Sequence, residues 1–223
     1  MVARDSETKS RPVQTSEAIS TEGEADRELV DRFLAGEKEA FEGLMLRYQA
    51  KIFNLSYRFM NDRQEAEELT QEVFFKVYRK LSGFRGDAKF STWLFQVAVN
   101  HCRNRLKYLQ RRKRQQHESL DQTLNTPEGE VQRQVPDETR IPEDLLQRRQ
   151  TQQIVADKIS TLPEEYRTVI VLRDIQGLSY EEIAQITGTV EGTVKSRLHR
   201  ARNELRERLQ FLFNEKGIDN DYA

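Results

Sequence analysis

The chain has 223 residues, of which 36% are hydrophobic and 33% charged, enough for one or two small cores beneath a wet surface. Its formal net charge is −1, so the summed charge does not point to nucleic acid and only segregated patches can. A single cysteine, Cys102, excludes an internal disulfide, and no run approaches the roughly 18 apolar residues that span a membrane. The start of the chain is polar without an apolar stretch, so no secretory signal is read there and a cytoplasmic protein is expected. Long apolar and charged residues at helical spacing predict an all-α fold. The expected architecture is two small helical domains joined by a flexible acidic linker, the second with a helix-turn-helix.

Residues 1–24 are rich in Ser, Thr, Glu and Lys and read as a disordered tail. The first domain, residues 25–117, opens where Leu29, Val30, Phe33 and Leu34 form a short amphipathic segment stopped by Gly36. A longer helix carries Phe41, Leu44, Met45, Tyr48, Ile52, Leu55 and Phe59 on one stripe, and Asn61-Asp62 makes a turn. A third helix follows with Ala66, Leu69, Val73, Phe74, Val77, Tyr78 and Leu81. Its other side bears Glu65, Glu68 and Glu72 with Gln71, and Phe75 lies off the apolar stripe. That face is either solvated or a docking surface for a basic or polar partner.

The loop SGFRGDAKFSTW combines flexible glycines with aromatics (Phe84, Phe90, Trp93) and cations (Arg85, Lys89), and Ser91 is placed to cap the next helix. Aromatic faces accept unstacked bases and cations hold the phosphates around them, although the same rings could be core anchors. The helix after it, TWLFQVAVNHCRNRLKYLQRRKR, gathers Arg103, Arg105, Lys107, Arg111, Arg112, Lys113 and Arg114 with no acidic residue. Such a strip binds phosphates with strong salt dependence. Asn100 and Asn104 offer amides to base edges. A basic helix can also lie on a membrane, but Leu94, Val97, Ala98 and Leu106 look committed to the bundle. His101, His117, His199 and Cys102 show no ligand spacing, so no metal or cofactor is expected.

Residues 118–144 are acidic and broken by Pro127, Pro136 and Pro142, a linker. The second domain, residues 145–213, starts with Ile154, Val155, Ile159 and Leu162, then a start signal of Thr161, Pro163 and Glu164, and a helix ended by Gly177. Ser179 and Glu182 have capping-box spacing and Gly188 supplies a turn. Thr189 is placed to cap a longer helix with Val190, Val194, Leu198, Ala201, Leu205 and Leu209 inward. Thr193, Lys195, Ser196, Arg197, His199, Arg200 and Arg202 lie between them, the outer face of a helix that can enter the major groove. Residues 214–223 read as a frayed tail. No clustered carboxylates and no nucleophile beside a base are found, so no catalytic residue is expected. A stand-alone regulator that binds DNA without other machinery remains an alternative.

The segments AFEGLMLRYQAKIFNLSYR, AEELTQEVFFKVYRKLSGFRG, FSTWLFQVAVNHCRNRL, LPEEYRTVIVLRDIQGLSYEEIA and GTVKSRLHRAR, in that order, closely resemble RNA polymerase sigma factors of the extracytoplasmic-function (ECF) group of the sigma-70 superfamily. The resemblance implies two modules, sigma region 2 and sigma region 4, and a non-enzymatic factor that recognises promoters and opens DNA. It implies docking on the clamp helices of the largest subunit of core RNA polymerase by Glu68, Gln71, Glu72 and Phe75. Promoter −10 recognition falls to Arg85, Lys89, Phe90, Trp93, Asn100, Arg103 and Asn104. Recognition of −35 duplex falls to Thr193, Lys195, Ser196, Arg197, His199 and Arg200, with a further contact to the flap of the second large subunit. The linker resembles a connector that threads the polymerase cleft. Relatives are held inactive by an anti-sigma factor, often membrane-anchored and released in a stress response, and such a partner is expected here. Val190 stands where many relatives place a proline at the first helical position.

Overall fold

The computed structural model describes residues 16–120 and 143–216, and among them every regular element is helical. Helices α1 (Ser16–Leu34), α2 (Ala40–Met60), α3 (Arg63–Lys80) and α4 (Phe90–Leu120) form the first bundle. Leu44, Tyr48, Ile52, Leu55 and Phe59 recur every three or four residues on α2 and are all buried, against Leu69, Val73 and Val77 of α3 and Leu94, Ala98 and Val99 of α4. Asn61 takes the left-handed conformation at the end of α2 (φ 52°), and Asp62 caps α3 by accepting from the Glu65 amide at 2.9 Å.

Two starts differ from expectation. α1 begins at Ser16, so the tail expected over residues 1–24 gives way to helix from residue 16, and residues 1–15 lie outside the described residues. Its anchor is polar: the buried Asp26 carboxylate accepts from the Arg47 guanidinium and the Tyr48 hydroxyl. α4 opens at Phe90, because the Lys89 carbonyl accepts from the Trp93 amide at 3.1 Å, and Ser91 lies inside the helix instead of capping it. Burial of the Phe90 ring beside Tyr48, with centroids 5.7 Å apart, draws that residue into the first turn.

The second bundle holds α5 (Glu143–Ser160), α6 (Glu164–Ile170) running into a π turn at Val171–Ile175, α7 (Tyr180–Thr187) and α8 (Glu191–Lys216). Residues 121–142 of the expected linker and 217–223 of the expected tail lie outside the described residues; α4, α5 and α8 take in their margins. Gly177 (φ +75°) ends the π turn. The Ser179 hydroxyl accepts from the Glu182 amide at 3.1 Å while the Glu182 carboxylate accepts from the Ser179 amide at 2.9 Å, the expected capping box. Gly188, at φ +65°, turns the chain from α7 toward α8. The expected Thr189 cap is not made: the Val190 carbonyl accepts the first amides of α8, and Thr189 Oγ1 meets Thr187 Oγ1 at 2.9 Å. Val190 therefore precedes the helix and is 70% exposed, while Val194, Leu198 and Ala201 are buried.

The two bundles meet along a seam. α5 packs on α2 and α7 on α4, and one apolar cluster runs through both. Arg167 stitches the seam from within, donating to the carbonyls of Phe59 (2.7 Å), Leu162 (3.0 Å) and Ser160. Tyr57 Oη donates to Gln153 Oε1 at 2.8 Å, and Gln176 Nε2 to the Lys51 carbonyl at 3.2 Å.

Candidate nucleic-acid interface

On α8 the buried side is spent on Val194, Leu198 and Ala201, so helical periodicity turns Lys195, Ser196, His199 and Arg200 outward, and all four are exposed. Thr193 and Arg197 sit half-buried at the edges of that face. Lys195 lies 5.6 Å from the Tyr180 ring centroid, and the Ser196 hydroxyl donates to the Thr193 carbonyl at 3.0 Å. Arg197 reaches back to Glu165 of α6 at 2.8 Å. Arg202, one of the polar positions of the periodic pattern, faces the π turn and donates to Asp174 at 3.0 Å; those bonds lift its pKa above the ordinary value. The six expected −35 residues thus share the first turns of α8, with Arg197 engaged and Arg200 exposed. Backbone amides at the start of such a helix and cations along its flank suit a groove lined by phosphates.

The second surface lies on the first bundle. Phe84, Phe90 and Trp93 form one ring cluster, with Phe84 and Trp93 centroids 5.2 Å apart and Phe90 and Trp93 6.0 Å apart. Phe90 is only 4% exposed, so its ring supports the cluster and cannot stack on a base; that part of the expectation is corrected. Phe84 and Trp93 remain half-buried, Arg85 is exposed, and Asn100 and Asn104 stand exposed on α4. Lys89 and Arg103 are not free. Lys89 Nζ donates to Glu182 Oε1 at 2.9 Å, and Arg103 Nε lies 2.8 Å from Glu164 Oε1. Both partners belong to the second bundle, and nothing in local spacing announces them.

The third surface is the outer face of α3. Glu68, Gln71 and Glu72 are exposed, and Phe75 is 63% exposed with the Arg79 guanidinium 5.7 Å from its centroid. Cys102 belongs to the core: burial pushes its thiol up to about 12, although Ser56 and Arg167 act against that rise.

Comparison with known proteins identifies the family. The family descriptions "Sigma-70 region 2" and "Sigma-70, region 4" match residues 44–112 and 152–205. The chain is 41% identical over 192 residues to the RNA polymerase sigma-H factor of Pseudomonas aeruginosa, covering 86% of this chain and 97% of that one. It is 38% identical over 185 residues to the ECF RNA polymerase sigma-E factor of Escherichia coli strain K12, covering 83% and 94%. Among solved structures, the sigma factor RpoE in complex with the anti-sigma factor NepR from Bartonella quintana aligns with a TM-score of 0.54 at 26% identity, over 76% of this chain and 96% of that one. The chain belongs to the ECF sigma factors of RNA polymerase, within the sigma-70 family.

Proposed function

We propose that the chain binds core RNA polymerase through the α3 face of Glu68, Gln71, Glu72 and Phe75 and directs it to promoters carrying −10 and −35 elements. Residues 25–117 act as region 2 and residues 145–213 as region 4. Trp93 with Phe84 forms the wall for an extruded base, and Arg85, Lys89, Asn100, Arg103 and Asn104 hold the strand around it. Extrusion costs a few kcal/mol of stacking, which contacts to the captured base offset. Lys195, Ser196, His199 and Arg200 read the −35 duplex, with Thr193 and Arg197 at the margin. The factor works in the cytoplasm by binding, with no catalytic step of its own. A protein of the anti-sigma kind is its proposed regulator, since the similar RpoE is held by one.

The observation that carries this reading is the pairing, on one chain, of two exposed surfaces of unlike chemistry. The basic face of α8 suits intact duplex, and the loop and α4 combine rings, amides and cations suited to separated strand. In the closed arrangement Lys89 and Arg103 of the first bundle are held by Glu182 and Glu164 of the second, while Arg197 is engaged within its own bundle by Glu165. That supports weak DNA binding by the free chain, with productive binding once polymerase separates and spaces the two modules. Sequencing the 5′ ends of transcripts made by core polymerase with and without the chain tests the reading. New start sites sharing −10 and −35 elements are expected, and an unchanged set of starts overturns it.

A further inference from the structure

We infer that Arg105 and His101, on the helix whose outer face is assigned to DNA, are positioning residues for polymerase docking: they hold the carboxylates of Glu65, Glu68 and Glu72 in a fixed row on α3. The inference rests on the reading of α3 as the docking face and deepens it.

In the sequence, Arg105 belongs to the same basic strip as Arg103 and Lys107, which points it toward phosphate. Its geometry is different. Arg105 Nη2 donates to Glu72 Oε1 at 2.8 Å, and Nη1 lies 3.2 Å from Glu65 Oε2 and 3.9 Å from Glu68 Oε2. The Glu65 contact is one of charge, without an aligned hydrogen bond. Only 20% of the Arg105 side chain is exposed. A guanidinium already neutralised and largely covered adds little to phosphate binding. What it does instead is set by α3. Glu65, Glu68 and Glu72 recur on one face of a helix and repel each other, and a cation placed between them relieves that repulsion.

His101 completes the arrangement. The Lys76 ammonium can only donate, so at 2.9 Å the His101 Nδ1 accepts from it. Nε2 therefore carries the proton and donates to Glu72 Oε2 at 2.5 Å. Each oxygen of Glu72 thus has its own donor from α4, which fixes the carboxylate while 46% of the side chain stays open to a partner. Burial alone would raise the Glu72 pKa, but His101 and Arg105 outweigh it and hold the carboxyl below its ordinary value. A fixed, charged row loses less conformational entropy on docking than three free glutamates would.

The test uses the full chain, titrated once with core RNA polymerase and once with labelled single-stranded oligo-dT over a range of salt. Arg105→Ala is expected to weaken core binding by about three- to tenfold while leaving oligo-dT affinity and its salt slope unchanged. A circular dichroism spectrum matching that of the parent establishes that the variant is folded. Arg105→Lys keeps the charge but spans fewer carboxylates, and its core affinity is expected between the two. Core binding of Arg105→Ala equal to the parent overturns the inference, as does a fall of about 0.7 in the salt slope, the mark of one lost phosphate contact. The double variant Gln71→Ala, Glu72→Ala separates the two levels. If it also leaves core affinity unchanged, the docking reading of α3 fails; if it weakens core binding and Arg105→Ala does not, only the positioning role fails.

Discussion

Lys89 and Glu182 are 93 positions apart, yet the Lys89 ammonium donates to one oxygen of the Glu182 carboxylate at 2.9 Å while the other oxygen closes the capping box of α7. One side chain of the helix-turn-helix therefore shapes its own helix and occupies a cation assigned to −10 DNA. The substitution Glu182→Gln separates these duties, because a glutamine at the same position still accepts the Ser179 amide but no longer neutralises Lys89. Combined with Glu164→Gln, which frees Arg103, it is expected to raise the affinity of the free chain for a single-stranded oligonucleotide by about two- to fivefold at low salt. The slope of log affinity against log salt should steepen by about 0.7 for each cation released. Fluorescence anisotropy reads both quantities, and a double variant that binds no better than the parent removes the closed-clasp account.

Acid should weaken the same contacts. At Glu182, burial favours the neutral form, but the Ser179 amide and Lys89 outweigh it and hold the carboxyl below its ordinary value; Glu72 is likewise held low, by His101 and Arg105 against burial. A depressed folded-state pKa adds stability that is complete above the unfolded value of about 4.3 and disappears as pH falls through the folded value. The denaturant midpoint should therefore fall below about pH 4.5, and Glu182→Gln should show a smaller fall than the parent. Equal falls in the two proteins would show that Glu182 is not one of the responsible groups.

Much of the helical scaffold was legible from residue spacing, because a repeat of three or four on α2, α3 and α8 dictates which side of each helix is buried. The capping box of Ser179 and Glu182 was legible because both partners lie within one turn. The exposure of Phe75 was legible too, since it falls between the apolar positions of α3. Periodicity names a buried face but not the partner against it. The bonds from Lys89 to Glu182 and from Arg105 to the α3 carboxylates therefore had no local signature. Phe90 shows the same limit: an aromatic next to a glycine loop reads equally well as a stacking platform or a core anchor, and only packing on Tyr48 decides. At Val190 the error was local, since a hydroxyl pair between Thr187 and Thr189 displaced the cap by one residue.

Gly188 joins α7 to the segment leading into α8 at φ +65°. A Cβ there meets nothing within 4 Å, so Gly188→Ala tests backbone strain without a steric clash. Holding an L residue in the left-handed region costs about 1 kcal/mol. A loss of about that size is expected in urea unfolding, with −35 duplex affinity reduced only in proportion to the fraction unfolded. No change in midpoint would mean that the turn relaxes freely.

Arg200 and Arg202 lie two positions apart on α8 but should behave differently. Arg200 stands exposed on the outward face, whereas Arg202 is committed to Asp174. In the holoenzyme, Arg200→Ala is expected to weaken binding to a −35 duplex by about 1–3 kcal/mol if its guanidinium reads a base edge. Arg202→Ala should leave duplex affinity nearly intact and lower thermal stability modestly. Titrations at one fixed salt concentration distinguish them, and the reverse ranking would mean that the groove is met by another face of α8.

Arg167 carries the sharpest prediction about the seam. Its guanidinium is buried, a position that lowers its pKa through desolvation while Glu164 opposes the fall, and it supplies donors to the Phe59, Ser160 and Leu162 carbonyls. Two of those carbonyls close the second bundle and one, that of Phe59, ends α2 of the first. Replacement by Met fills a similar volume but leaves buried oxygens without partners, so Arg167→Met should destabilise the chain by about 2–4 kcal/mol. If the Phe59 bond matters to the closed arrangement, hydrogen exchange should also rise at the α2–α5 contact before the bundles themselves unfold. A variant with the parent's urea midpoint and the parent's exchange rates along α2 and α5 would show that apolar packing alone keeps the two bundles together.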